Sequence, residues 1–270
     1  MLRDSLTSRS ARSPEWQAML GRFETVELDR IAALATDDRI DTKFMLREET
    51  AFDVVAGLLG HYRVLDIDGR RFTTYRTQYF DTESLALYRR HHIGAWDRYK
   101  VRTRSYSNTG LSFVEVKHRS RRGVTRKVRQ PTTYFETALR PASRAFVDVH
   151  CRVGAGGLVP ALLNNFDRIC LVSETAPERL TIDLNIEFEA DSGPVRLPGI
   201  AVAELKQQRN GHNPRDTAFL RGMRAINARP TGFSKYCVGL LLTRRGIKHN
   251  LFKPQLRRLE HLMEERNVVC

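Results

Sequence analysis

The chain has 270 residues, 41% hydrophobic and 28% charged, which describes a folded, soluble protein with enough length for a substantial core in one large or two ordinary domains. Its 45 Lys and Arg outweigh 31 Asp and Glu, a net charge of +14 with a pI near 10.1, so the expected partners are anionic: nucleic acid, an acidic membrane surface or phosphate-rich small molecules. No apolar run reaches the roughly 18 residues of a membrane span, and Met1–Ser5 lacks the apolar core of a secretory signal. Cys151, Cys170, Cys237 and Cys270 are scattered with no CxxC pair, so neither a zinc site nor a disulfide framework is indicated, and a reducing, cytoplasmic setting fits best.

Residues 1–12 are rich in Ser and Arg and are expected to be disordered. Ser13-Pro14-Glu15 is a helix start, with Trp16, Met19, Leu20 and Phe23 at helical spacing behind it. A second helix is predicted from Glu27 to Ala35, and Arg39–Leu46 alternates charged with largely apolar positions as a first strand. Phe52, Val55, Leu58 and Leu59 mark an amphipathic helix ending at Gly60. Arg71–Phe80 reads as a strand, and Asp81-Thr82 as a cap for a short helix carrying Leu85, Leu87 and Tyr88, although Asp81 is also a candidate site residue.

Three basic strands follow. Side chains alternate faces on a strand, so Arg98, Lys100, Arg102 and Arg104 point one way and Tyr99, Val101 and Thr103 the other. Glu115, Lys117 and Arg119 share a face in the next strand, as do Lys127 and Arg129 in the third, with turns at Ser107–Gly110 and Arg121–Gly123. From Arg89 to Arg129 thirteen Lys and Arg face only Asp97 and Glu115. Adjacent strands of like charge repel, so such a face is either wet or meets a polyanion.

Pro131 to about Leu163 is expected to be helical. Strands return at Arg168–Val172, at Arg179–Phe188, where Arg179, Thr181, Asp183, Asn185 and Glu187 are expected on one face, and at Ala201–Lys206. Asn213–Asp216 is the predicted start of a helix through Met223, and Pro254–Glu265 the last helix. Phe44, Tyr79 and Tyr236 read as packing residues. No histidine has metal-ligand spacing, and no aromatic stacking series is apparent along the basic face. About eight strands with one polar face predict an α+β fold: a closed antiparallel β-barrel with a charged lumen and flanking helices.

The order of motifs is informative. Arg39-x-Asp41-x-Lys43-Phe44, Tyr79-Phe80-Asp81-Thr82, Arg98-x-Lys100-Val101-Arg102-x-Arg104-x-Tyr106, Glu115-x-Lys117, Thr125-x-Lys127-x-Arg129, Arg179-Leu180-Thr181-x-Asp183, Glu204-x-Lys206 and Ser234-Lys235-Tyr236-Cys237 together resemble the VTC domain. That family holds the polyphosphate polymerase of the vacuolar transporter chaperone complex and stand-alone bacterial relatives, within the CYTH-like triphosphate tunnel metalloenzymes. The resemblance covers about residues 27–242, leaving 1–26 as an extension and 243–270 as a trailing helical segment.

The resemblance implies an enzyme that transfers the terminal phosphate of ATP to inorganic polyphosphate in a tunnel, with Mn2+ or Mg2+. It places Arg102, Arg104, Lys117 and Lys235 at the reacting phosphates. Lys43, Arg98, Lys100, Lys127, Arg129, Arg168, Arg179 and Lys206 would bind substrate, and Glu204 and Glu115 the metal. Phe44 and Phe166 stand where the family usually has Tyr. Arg39-x-Asp41-x-Lys43 keeps one acid of the ExExK start usual among tunnel enzymes. Other readings of the same residues are a tunnel-type triphosphate hydrolase, a non-catalytic polyphosphate binder and a nucleic-acid-binding barrel.

Overall fold

A computed structural model describes residues 13–33, 39–208 and 216–264 of the chain. The expected disorder of residues 1–12 and the helix start at Asn213–Arg215 lie outside the described residues.

In chain order the elements are α1 (Pro14–Gly21), β1 (Thr25–Val26), α2 (Leu28–Ala33), β2 (Arg39–Arg47), α3 (Glu48–Ala56), β3 (Tyr62–Leu65), β4 (Thr73–Asp81), α4 (Ala86–His92), β5 (Arg98–Tyr106), β6 (Ser112–Arg119) and β7 (Thr125–Thr132). Then come α5 (Pro141–His150), β8 (Val159–Ser173), β9 (Glu178–Phe188), β10 (Val195–Arg196), β11 (Ile200–Gln208), α6 (Ala218–Ala225), α7 (Lys235–Thr243) and α8 (Lys253–Glu264). Ser13 caps α1 by accepting from Trp16 N at 3.3 Å, Thr217 caps α6 and Ser234 caps α7. Asp81 acts as a cap too, accepting from Leu87 N and Tyr88 N at 2.8 Å each, and Tyr236 donates its hydroxyl to the same carboxylate.

The sheet is antiparallel along the path β2-β11-β9-β8-β4-β5-β6-β7 and curls so that one face is concave. The expected closure differs from what is seen: β2 and β7 end the path and do not pair with each other among the described residues. The β2 edge is occupied otherwise. Thr231 N donates to Lys43 O at 2.7 Å, and Met45 N donates to Thr231 Oγ1 at 3.2 Å, so the segment before α7 takes the place a closing strand would have.

Apolar residues cover the convex face. Phe44, Leu46, Leu180, Ile182, Ala203 and Leu205 pack against Trp16 and Leu20 of α1, Val55 of α3, and Phe219 and Met223 of α6. On the other half Val101, Val114 and Val116 pack beneath Leu87 of α4 and Val147 of α5. Each such fully buried aliphatic side chain contributes about 1.5–3 kcal/mol.

Inside the curl, α7 and α8 fill one end. Tyr236, Val238 and Leu240 pack on Leu162, Phe188, Val202 and Met45. Gly239 permits this approach, since a Cβ there would lie 2.5 Å from both Leu162 Cδ2 and Phe188 Cδ1.

Two further expectations require correction. The stretch 131–163 is not helical throughout: α5 spans only Pro141–His150, and β8 begins at Val159, well before Arg168. In β9 the strict alternation fails, because Asn185 adopts φ 51° where the β8–β9 register shifts. Arg179, Thr181 and Asp183 face the concavity, whereas beyond the bulge Ile186 and Phe188 turn inward in place of Asn185 and Glu187.

Candidate active site: a cation-lined trough

The registers bring the predicted residues to one face. Tyr79 pairs with Arg102 and Thr77 with Arg104 across β4–β5; Lys100 pairs with Lys117 and Arg102 with Glu115 across β5–β6. Glu115 pairs with Arg129 and Lys117 with Lys127 across β6–β7. On the other side Arg168 pairs with Asp183, Arg179 with Lys206, and Glu204 with Lys43. Lys235, the first residue of α7, reaches the same face from the plugged end, where its ammonium donates to Asp183 Oδ2.

Like-charged strands tolerate one another here because three carboxylates are each held between two cations from separate segments. Arg102 Nε donates to Glu115 Oε2 at 2.6 Å while Lys127 holds Oε1. Arg168 forms a two-pronged pair with Asp183, at 2.5 and 2.7 Å, and Lys235 donates to the Oδ2 atom that Arg168 Nη2 also holds. Glu204 lies 2.6 Å from Lys206 and 3.8 Å from Lys43. Burial opposes ionisation of all three, but the adjoining cations prevail and hold each carboxyl well below the usual carboxylate range.

The lysines show the converse. Burial, with neighbouring cations adding to it, lowers Lys100, Lys117 and Lys235 to about 8 and Lys127 to about 7, although the carboxylates beside Lys127 and Lys235 partly oppose the shift. The charge excess follows from the registers: Lys43, Lys100, Arg102, Arg104, Lys117, Lys127, Arg168, Lys206 and Lys235 share the face with the carboxylates Glu115, Asp183 and Glu204. Arg179 Nε adds a buried donor with no hydrogen-bond partner among the described residues. Not every expected residue faces the middle: Arg98 donates to Ala95 O at 3.0 Å near the loop, and Arg129 lies 4.6 Å from the Phe113 ring centre.

Several contacts in the trough were not anticipated. Phe166 and Tyr75 stack with centres 4.9 Å apart, and Arg104, Arg168 and Lys235 all gather over the Phe166 ring. Tyr79, expected only to pack, also accepts from Arg102 Nη1 at 3.3 Å. An aromatic series therefore does accompany the basic face, contrary to expectation. Thr77 accepts from Arg104 Nε at 3.2 Å, and Ser234 accepts from Lys100 Nζ at 2.8 Å. Asn164 is wholly buried on the same face, with both amide atoms unpaired among the described residues. Phe44, by contrast, lies on the convex face against Phe219, so a hydroxyl there would not enter the trough.

For a divalent cation the residues give a partial fit. Among the described residues no group of three or more His, Cys, Asp or Glu converges as a protein cage. Ions of the magnesium type are commonly held by one or two carboxylates together with substrate phosphates. Glu204, 14% exposed at the trough wall, suits that arrangement. Glu115, expected beside it, is 1% exposed and closed between Arg102 and Lys127.

No helix among the described residues is long and apolar enough to cross a membrane. No curated protein matches the chain. Among solved structures, a Bacillus halodurans protein put forward as an adenylate cyclase aligns at 13% identity and TM-score 0.47, covering 73% of this chain and 95% of its own. A Hippeastrum protein, put forward as an adenylyl cyclase and having a dominant triphosphatase activity, aligns at 15% identity and TM-score 0.44, covering 78% and 100%. A Pyrococcus horikoshii OT3 protein aligns at 12% identity and TM-score 0.44, covering 77% and 99%. The VTC domain model matches residues 38–244, which takes in every strand of the curled sheet from β2 to β7, and the chain belongs to the VTC domain family.

Proposed function

We propose that the trough is the active site of a polyphosphate polymerase, which moves the terminal phosphoryl group of ATP onto the end of a growing inorganic polyphosphate chain. The observation that carries this reading is the excess of Arg and Lys on one concave face, where carboxylates neutralise only part of the charge. Arg102 and Arg104 on β5, with Lys117 opposite, would hold the reacting phosphates. Arg168, Arg179, Lys43 and Lys206 face them from the other wall. Lys235 meets the chain at the plugged end.

Phosphoryl transfer is mainly positioning and charge neutralisation, and guanidinium forks supply both. Glu204 would hold Mn2+ or Mg2+ against phosphate oxygens, and the chemistry supplied is neutralisation of the charge that develops on them. The nucleophile fits the same surroundings. A polyphosphate terminus is already anionic near neutral pH and needs no base, whereas water does. Glu115, Asp183 and Glu204 are held ionised far below neutrality, which makes them poor proton acceptors. A bound polyanion keeps the lysines protonated, so they are unavailable as bases too.

The test is product analysis: purified protein is incubated with ATP and Mn2+, and the products are resolved on a gel stained for polyphosphate. Long chains with ADP support the polymerase. Orthophosphate alone would make the protein a triphosphate hydrolase, and binding without turnover would make it a polyphosphate binder.

A further inference from the structure

The end of the sheet where β5 begins carries a surface that the trough does not use. The loop between α4 and β5 presents Ile93 and Trp96, 66% and 60% exposed, while the chain's other tryptophan, Trp16, is fully buried. This loop is fastened in place. Arg90 Nε donates to Asp97 O at 2.8 Å, His118 pairs with Asp97 Oδ1 at 2.6 Å, and Arg152 reaches Asp97 Oδ2 at 3.5 Å. The two apolar side chains are thus held out toward water by a braced backbone.

The Asp97–Arg152 pair also brings up exposed Val153, and the pairing of Arg98 with Arg119 sets the β6–β7 turn, with exposed Arg121 and Arg122, beside the same loop. The result is an apolar tip ringed by arginines, in which the one acidic residue of the loop, Asp97, is already engaged. Water penalises such a tip. A membrane interface accepts tryptophan and aliphatic side chains together and, when anionic, attracts the surrounding cations.

We propose that this loop docks the protein on an anionic lipid surface, Ile93 and Trp96 entering the headgroup layer and Arg90, Arg121, Arg122 and Arg152 meeting the lipid charges. A second copy of the same face would be repelled by its own charge. A nucleic acid would satisfy the arginines but give Ile93 no apolar counterpart.

Tryptophan emission is a direct reporter, because Trp16 is sealed in the core and a change reports Trp96. The full chain should shift to the blue and co-sediment with vesicles of equal parts phosphatidylserine and phosphatidylcholine, and should do neither with phosphatidylcholine alone. Near an anionic surface each arginine contributes roughly fivefold in affinity, so Arg121→Gln with Arg122→Gln should weaken binding about 25-fold. Ile93→Ser with Trp96→Ala should abolish co-sedimentation while leaving tripolyphosphate affinity intact; if that variant failed to fold, the arginine pair alone decides.

An unmoved emission or equal binding to neutral vesicles would overturn the proposal. So would displacement of the vesicles by tripolyphosphate, which would mean that the trough holds the lipid headgroups. A shift caused by single-stranded RNA but not by vesicles would replace lipid with nucleic acid, and a concentration-dependent shift without vesicles would replace it with self-association.

Discussion

Replacing Glu115 by Gln separates an ion-pair role from a metal-binding one. The side chain is 1% exposed and bridges Arg102 and Lys127. Breaking a buried ion pair by removing one partner costs about 3–5 kcal/mol, because the other charge is left without compensation. For a domain of this size a kcal/mol moves the melting temperature by about 2–4 °C, so the ligand-free variant should melt about 10 °C below wild type at neutral pH.

Lys127 sets the pH dependence. Burial has already brought it to about 7, and losing Glu115 lowers it further, so at neutral pH the variant's Lys127 has already shed its proton and Arg102 alone remains unpaired. The deficit should therefore sit toward the lower limit at neutral and alkaline pH and grow as the pH falls below about 7, where wild type holds the Lys127 proton beside Glu115 and the variant must hold it unpaired. Tripolyphosphate supplies the missing negative charge. At a hundred times its dissociation constant it restores about 2.7 kcal/mol, and the variant should gain more from it than wild type does if its affinity has risen. Differential scanning fluorimetry with and without tripolyphosphate reads all of this. A variant melting within ~2 °C of wild type in ligand-free buffer would refute the ion-pair account at the level of this magnitude. Stabilisation of wild type by Mn2+ alone, lost in the variant, would restore Glu115 as a metal ligand.

Other residues give separate tests. Among the described residues Arg104 donates to the Thr77 hydroxyl and otherwise rests on the Tyr75 and Phe166 rings, so Arg104→Ala should lower tripolyphosphate affinity roughly tenfold or more with little loss of stability, as calorimetry would show. Glu204→Gln should cut Mn2+-dependent turnover by orders of magnitude yet leave metal-free tripolyphosphate binding intact or tighter; near-normal turnover would remove Glu204 from the metal site. Lys100, Lys117, Lys127 and Lys235 have folded pKa values depressed below 10.5, so between those values and 10.5 the unfolded chain binds more protons and ligand-free stability rises with pH. A polyanion reverses the depression, so complex formation near pH 8 should take up protons; identical heats in buffers of different ionisation enthalpy would contradict this. Phe44→Tyr should cost about 1–3 kcal/mol by burying an unpaired hydroxyl on the convex face, with phosphate affinity unchanged.

Alternation made β2, β5, β6, β7, β11 and the first half of β9 readable, because a charged face opposite an apolar one leaves a period of two in the sequence. The first half of β8 left no such trace. Ala161, Leu162, Leu163, Asn164, Asn165 and Phe166 are apolar or amide on both faces, since α7 covers the concave side there. Asn185 gave no warning of its bulge, and Asn164 and Thr77 belong to the trough only through strand pairing that lies far away in sequence. Phe166 was visible as a missing hydroxyl, whereas its position under three cations required the fold. Closure was inferred from strand number and polarity, and neither reports which segment occupies an edge: Thr231 does so with one backbone donor and one hydroxyl.

That seam at the β2 edge has a mechanical meaning. Thr231 fastens the strand, Phe233 O accepts from Lys43 Nζ at 3.0 Å, Ser234 holds Lys100, and Lys235 reaches Asp183, all along one short run of chain. Unzipping the run to admit something wider would also withdraw Lys235 and release Lys100. Bore and charge are geared together: the groove can open only by surrendering part of its hold on phosphate, and a narrow, flexible anionic strand is the shape that never asks it to.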